Sequence, residues 1–344
     1  MNTNHKHIFT FKLTENQRSQ WMTMFDEYNN AKFTQHPDWP LLSQPNRKVN
    51  YFMLYANDGK LLAVSTIVEN RIVANILWGP LCDSSELFVD SVEIIRKYYK
   101  RKNRFAVLRV THPSVISSVT ESLEYALYKR ARFKQYINDK NLFSIAVNLE
   151  KSKDEILTSF KNSNKRGVKK GIKEGFEVRE INDTSEVKKF ASIFDEMIDA
   201  RGIENQFLDT ANSFCEILNS FQEKKYGKIL AIYNKDNIMM GGIVILFKDD
   251  FAYYDIGASS PEFRKKPIMH SLFYKAMLLC KERGHKWFDL GGYSLISKDG
   301  DQVTNINKFK EGFAGVPQIY PKRMYFILNP WINGLYSLVM KIKG

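Results

Sequence analysis

Apolar residues recur along the chain in two rhythms. Residues 14–29 read as a helix, in which Trp21, Met24, Phe25 and Tyr28 recur at spacings of three and four. From 51 to 78 apolar residues form three dense runs, YFMLYANDGKLLAVSTIVENRIVANILWGP, and this pattern predicts strands over 51–55, 61–68 and 71–78. Asn57-Asp58-Gly59 joins the first pair with the residues of a tight hairpin turn. A helix over 86–102 and the strand FAVLRV (105–110) follow, stopped by His112-Pro113. Beyond residue 150 the order recurs. LEKSKDEILTSFKNSNKRGVKKGIKEG reads as helix, turn, helix, and FEVREI as a strand. Helices are expected over 184–200 and 209–224. KILAIYNKDNIMMGGIVILFKDDFAYYDIGAS is again three strands, turning at Asn234–Asn237 and Lys248–Asp250. A helix over 267–283 and the strand HKWFDLGG complete the second half.

The halves echo each other in element order rather than in residue identity. The alternation predicts an α/β fold with mixed sheets, in two tandem domains covering 1–150 and 151–344. The order of meander, helix and strand resembles that of the GNAT acyltransferases, here duplicated. The closing segment NPWINGLYSLVMKIKG forms an amphipathic helix with Trp331, Ile332, Leu335, Leu338 and Val339 apolar and Lys341 and Lys343 at its end. It is expected to dock on the body, with contact at the inner membrane surface as the alternative.

Composition narrows the function. With 51 basic against 38 acidic residues, the chain carries a formal charge of +13. That favours an anionic partner such as RNA, a nucleotide-linked substrate or an anionic lipid, although a lysine-rich surface alone gives the same number. The cysteines (Cys82, Cys215, Cys280) lie far apart with no histidine cluster, which predicts neither a disulfide framework nor a metal site. The N-terminus lacks the apolar core of a signal peptide, and no run reaches the ~18 apolar residues of a membrane span. These features together predict a cytoplasmic protein.

Four stretches could carry chemistry. In KNSNKRGVKKGIKEG, Lys165, Arg166, Lys169, Lys170 and Lys173 recur at helical spacing, a face suited to phosphates and equally to solvent. Arg201 ends a helix just before Gly202, where it can satisfy carbonyls or grip an anion. In an acyl-CoA enzyme of this fold, the helix after AYYDIGAS opens with a glycine-rich phosphate cradle. Here that turn is Arg264-Lys265-Lys266-Pro267, without glycine, so only side-chain charge is left to hold phosphate. Finally, FDLGGYSLISKDGDQVTNINKFKEGF leaves a strand at Gly291-Gly292, makes a long polar excursion and returns with Lys310 between Phe309 and Phe313. Such a lysine either snorkels or, in a cleft, stabilises an oxyanion. Asp255 and Asp289 lie at strand positions where each can serve as a general base or as a structural hydrogen-bonding group.

KRGVKKGIKEGFEV, AYYDIGAS and FDLGG with NKFKEGFAG, together with TQHPDW and LWGPLCD in the first half, resemble the FemABX family across nearly the whole chain. The resemblance implies two GNAT-like domains without the coiled-coil arm of some members. It also implies transfer of an aminoacyl group from aminoacyl-tRNA onto an amine in cell-wall or surface-glycan assembly, with no tightly bound cofactor. On it, Lys310 stabilises developing negative charge, with Phe309 lining the site. Arg201, Tyr254, Trp39, Gly291 and Gly292 contact substrate, and the basic helix and the Arg264–Lys266 turn face tRNA or phosphate. The acceptor is a nucleotide- or lipid-linked sugar or peptide. Two departures, the absence of a lysine after Trp39 and of an Asp-Pro at Thr111-His112-Pro113, bring in other acceptors, such as an amino sugar of a surface polysaccharide. Two alternatives stand beside this reading: an acyl-CoA- or acyl-carrier-protein-dependent N-acyltransferase acting on an amino sugar, and a non-catalytic RNA- or phospholipid-binding protein.

Overall fold

A computed structural model describes residues 5–29, 31–43, 47–113, 134–135, 143–207, 209–222, 226–293, 302–320 and 323–343. The chain divides into two compact units, Met1–Leu142 with Ile319–Gly344, and Phe143–Gln318. This differs from a single division at residue 150, because the closing segment groups with the first unit.

The first unit is built on strands β1 (Lys6–Thr10), β2 (Lys48–Tyr55), β3 (Leu61–Asn70), β4 (Val73–Ile76), β5 (Leu81–Cys82), β6 (Val107–Val110) and β7 (Lys134–Gln135). The sheet runs β1-β2-β3-β4-β6, then the closing strand Met324–Ile327, then β7. Gly59, at φ +85°, takes the left-handed place of the β2–β3 hairpin, as its sequence predicts. Helix α1 (Glu15–Glu27) starts on a capping box in which Thr14 and Gln17 satisfy each other's backbone N–H. The helix α2 (Trp39–Ser43) is short, and α3 (Ser85–Arg101) is capped by Ser84. The α3 face carrying Phe88, Val92, Ile95 and Tyr99 joins the core of this sheet. Trp39, read from the sequence as a substrate contact, is buried and packs edge-on to Phe33.

The second unit holds β8 (Phe143–Asn148), β9 (Glu177–Glu180), β10 (Gly227–Tyr233), β11 (Met239–Lys248), β12 (Phe251–Ser259), β13 (Trp287–Tyr293) and β14 (Val316–Ile319, whose last residue falls in the first unit). Their order is β14-β8-β13-β12-β11-β10-β9. The helices are α4 (Lys153–Ser159), α5 (Asn162–Lys173), α6 (Thr184–Arg201), α7 (Thr210–Ile217), α8 (Ile268–Glu282) and α9 (Gln302–Glu311). Ser152, Asp183 and Asp209 cap three of them through side-chain oxygens, which explains why their starts are readable from sequence.

Two glycine contacts set helix positions that side-chain periodicity does not reveal. A Cβ on Gly242 would meet the Phe190 ring at 2.8 Å, so α6 reaches β11 only because that position is bare. A Cβ on Gly171 would sit 1.9 Å from the Ser271 Oγ, and one on Gly167 2.6 Å from the His270 ring. The basic helix α5 therefore lies directly against the first turn of α8.

Candidate active site

β12 and β13 run parallel and pair only over Phe251–Tyr253 and Trp287–Asp289. Just past this short pairing, each strand carries an irregularity. On β12, Asp255 is an extra residue, because Tyr254 faces Ile245 while Ile256 faces Val244. On β13, Leu290 and Gly291 together face Ile145 alone. Bulges of this kind end pairing and re-aim side chains, and here they leave backbone exposed at the point where the two strands part. Gly291 takes φ +75°, in the left-handed region that favours glycine. A Cβ there would lie 3.3 Å from the Tyr254 carbonyl oxygen and 3.8 Å from the Lys310 Nζ.

Lys310 reaches this opening from the last turn of α9. Its neighbours Phe309, in that turn, and Phe313, just past the helix end, turn inward and pack on Phe273, with Phe313 also against Phe160. Lys310, about 100° away around the helix, points to the β13 bulge and donates to the Gly292 carbonyl at 2.6 Å. It is 8% exposed, and burial lowers its pKa to about 8 against an opposing pull from the Asp289 carboxylate. The polar excursion of the sequence is partly this helix. Residues 294–301, read as a loop over bound substrates, lie outside the described residues.

The two aspartates separate cleanly. Asp289 is buried and both its oxygens are engaged, accepting from the Gly291 N–H at 2.7 Å and the Ser144 hydroxyl at 2.8 Å. It holds the bulge, which fits the structural role offered for it and leaves no lone oxygen facing a substrate. Asp255 is solvent-accessible, yet its crowded, desolvating surroundings push its carboxyl up to about 7. Tyr254 is raised to about 12 by burial first, then by the Asp255 charge, with Arg201 pulling the other way. The electrostatic reach of Arg201 to Tyr254 brings the end of α6 to the same opening. Arg201 itself is exposed, and Gly202 supplies the left-handed helix cap.

The structure thus brings together Lys310, Gly291, Gly292, Tyr254, Asp255 and Arg201. The phosphate candidates face solvent or other partners. On α5, Arg166, Lys169 and Lys173 are exposed, whereas Lys165 donates to the Thr158 carbonyl at 2.7 Å. Lys170 and Lys266 converge on Glu174, at 3.8 Å and 2.6 Å. That carboxylate lies one residue beyond the stripe, so part of the charge that sequence spacing offered to a polyanion is already neutralised. Arg264 and Lys265 remain exposed. One site residue escapes sequence reasoning. Asn164 is buried, donates to the Phe309 carbonyl at 2.9 Å and presses on Gly312, where a Cβ would lie 2.2 Å from its Oδ1. A polar residue at the start of a helix gives no such signal.

Residues 158–305 match the family model of the acetyltransferase (GNAT) domain. A lipid II:glycine glycyltransferase of Staphylococcus haemolyticus is 22% identical, over 63% of this chain and 64% of its own length. The chain thus spans about 64% of the length of the curated relatives it matches. The crystal structure of FemX has the same fold at TM-score 0.75 and 16% identity, covering 97% of this chain and 99% of that one. A tandem GNAT protein from the clavulanic acid biosynthesis pathway matches at TM-score 0.58 and 10% identity, over 95% and 99%. In sequence the chain is thus similar to FemABX-type glycyltransferases, it matches a GNAT acetyltransferase domain, and it shares the fold of FemX.

Proposed function

We propose that this protein is an aminoacyltransferase of cell-wall assembly, moving an aminoacyl group from aminoacyl-tRNA onto an amine of a lipid-linked precursor. The observation that carries the reading is Lys310, a buried ammonium aimed at a strand opening beside Tyr254 and Arg201. The lipid II:glycine glycyltransferase relatives support the acceptor class and the transferred group.

In this mechanism the acceptor nitrogen attacks the ester carbonyl of the donor, and a C–N bond forms as charge gathers on the carbonyl oxygen. An ammonium has three N–H donors. One of Lys310's is given to Gly292, and the others meet the oxyanion in a site that burial keeps at low dielectric. Collapse breaks the C–O ester bond. The leaving ribose oxygen takes up a proton, and the amine gives one up to Asp255, whose elevated pKa suits a base working near neutrality.

The deciding experiment incubates the purified protein with lipid II or soluble amine acceptors and, separately, charged tRNA, acetyl-CoA or an acylated carrier protein. Transfer from charged tRNA is expected, and transfer from CoA alone would overturn the reading. Two variants refine it. Asn at 289 can still accept from Gly291 while donating to Ser144, so Asp289→Asn should keep the bulge and hold turnover within about tenfold. Losing the carboxylate's pull should also move Lys310's titration to lower pH. A collapse of the rate would instead make Asp289 a base. In the second, Arg166, Lys169 and Lys173 are all changed to Glu. If these residues meet tRNA phosphates, the slope of log Kd against log salt should fall by about 2–3, since each contact contributes roughly 0.7–0.9. An unchanged slope would free α5 from that role.

A further inference from the structure

The helix Pro330–Lys343 belongs to the first unit, and its sequence suggested an apolar face docked on the body. Instead, Trp331 is 86% exposed, Leu335 67% and Leu338 58%. The spacing i, i+4, i+7 aligns these residues on one face. With Pro330 and Gly334 they line an open apolar hollow of about 520 Å³. Scattered single apolar side chains on a surface are ordinary, but a tryptophan and two leucines in one stripe mark a binding surface. From Ile319 to Gly344 the sequence carries Lys322, Arg323, Lys341 and Lys343 and no acidic residue, within a chain of net charge +13.

We infer that this helix is an interfacial anchor that lies in the plane of an anionic phospholipid bilayer, with the Trp331–Leu335–Leu338 stripe inserted among the acyl chains. Its 14 residues make a rod of about 21 Å, short of the ~30 Å hydrocarbon core. Among the described residues no helix is long and apolar enough to cross a membrane. In-plane binding is the arrangement such a helix can adopt: apolar side chains enter to the headgroup–acyl boundary, and tryptophan favours that boundary. Charge selects the bilayer over a neutral apolar partner. The basic, acid-free segment gains from the negative surface potential of an anionic leaflet, by roughly 1 kcal/mol per cation close to the surface. A second copy of this chain would bring the same net positive charge against itself. The inference does not depend on the transfer chemistry, since it requires only this helix and its charge.

The test is cosedimentation of the full chain with vesicles of phosphatidylcholine alone and of phosphatidylcholine mixed with phosphatidylglycerol, at low and high salt. Binding to the mixed vesicles, weakened by salt, is expected. The combined variant Trp331→Ser, Leu335→Ser, Leu338→Ser alters only exposed side chains, so its thermal melt should match the parent. Its partition onto the mixed vesicles should fall at least about tenfold, from lost burial of three apolar side chains. Quenching of tryptophan fluorescence by brominated lipid should be strong in the parent and largely lost in Trp331→Phe. Three results would each overturn the inference: no binding of the parent, equal binding of parent and variant, or a parent that is dimeric in solution and becomes monomeric in the variant. None of these measurements involves aminoacyl transfer, so they fail or succeed independently of the proposed reaction.

Discussion

Replacing Lys310 with methionine should lower aminoacyl transfer by about 10²–10³-fold, the usual loss on removing an oxyanion donor. Methionine nearly matches the length of the lysine stem and fills the same buried volume. The fold should not suffer. Burial lowers the lysine's pKa to about 8, which means the folded state disfavours its charged form. Below that pH the ammonium therefore costs stability relative to an exposed lysine, and the methionine variant should melt no earlier than the parent. Loss of rate with retained stability separates chemistry from structure. The pH profile carries a second check. An oxyanion partner must be protonated and Asp255 must be ionised to take the amine's proton, so transfer should rise as the raised Asp255 carboxyl ionises and decline as pH rises through about 8, where Lys310 loses its charge. A limb of the opposite sense, rising through 8, would make Lys310 a neutral base. Unchanged turnover in the methionine variant would remove it from the chemistry.

The second large effect concerns Gly312. A methyl group there would lie 2.2–2.4 Å from the carboxamide atoms of Asn164. That side chain is buried and short, and it is tied to the Phe309 carbonyl. It cannot swing into solvent as a lysine would. Gly312→Ala should therefore cost about 2–5 kcal/mol, combining overpacking with a buried carbonyl deprived of its partner. The same displacement disturbs the last turn of α9, which holds Lys310, so transfer should fall as well. The interaction is open to a double-mutant cycle. In an Asn164→Ala background the added methyl has room, and most of the Gly312→Ala penalty should disappear. Additive denaturant midpoints for the two changes would show that the clash is not what makes this glycine necessary.

Much of the fold is written in local signals. The hairpin at Asn57-Asp58-Gly59 and the helices that begin at Thr14, Ser152, Asp183 and Asp209 depend on turn and cap residues adjacent in the chain. The site is legible only in part. Lys310 could be picked out because aromatic residues flank it, and the structure shows why those neighbours matter: Phe309 and Phe313 fix the helix by which Lys310 is aimed. The bulges at Asp255 and at Leu290–Gly291 are pairing registers between distant strands, which no single stretch encodes. Gly167 and Gly171 read as gaps in a basic stripe, although they mark where α5 lies against α8. Glu174 was invisible as a partner to Lys266 because 92 residues separate them. The apolar stripe of the last helix was legible, but sequence alone could not tell whether anything covers it.

The closing strand Met324–Ile327 sits between β6 and β7, an arrangement with consequences for a chain made in one direction. On the ribosome, the first unit emerges early but lacks a strand from within its sheet until the whole second unit has been translated. The second unit, Phe143–Gln318, emerges complete before that strand appears, and its two ends lie on the neighbouring strands β8 and β14. It is therefore an insertion whose entry and exit are already side by side, free to fold as soon as it is synthesised. The half made first is obliged to wait for its last strand, so it, rather than the half bearing Lys310, is the one that nascent-chain chaperones have longest to protect.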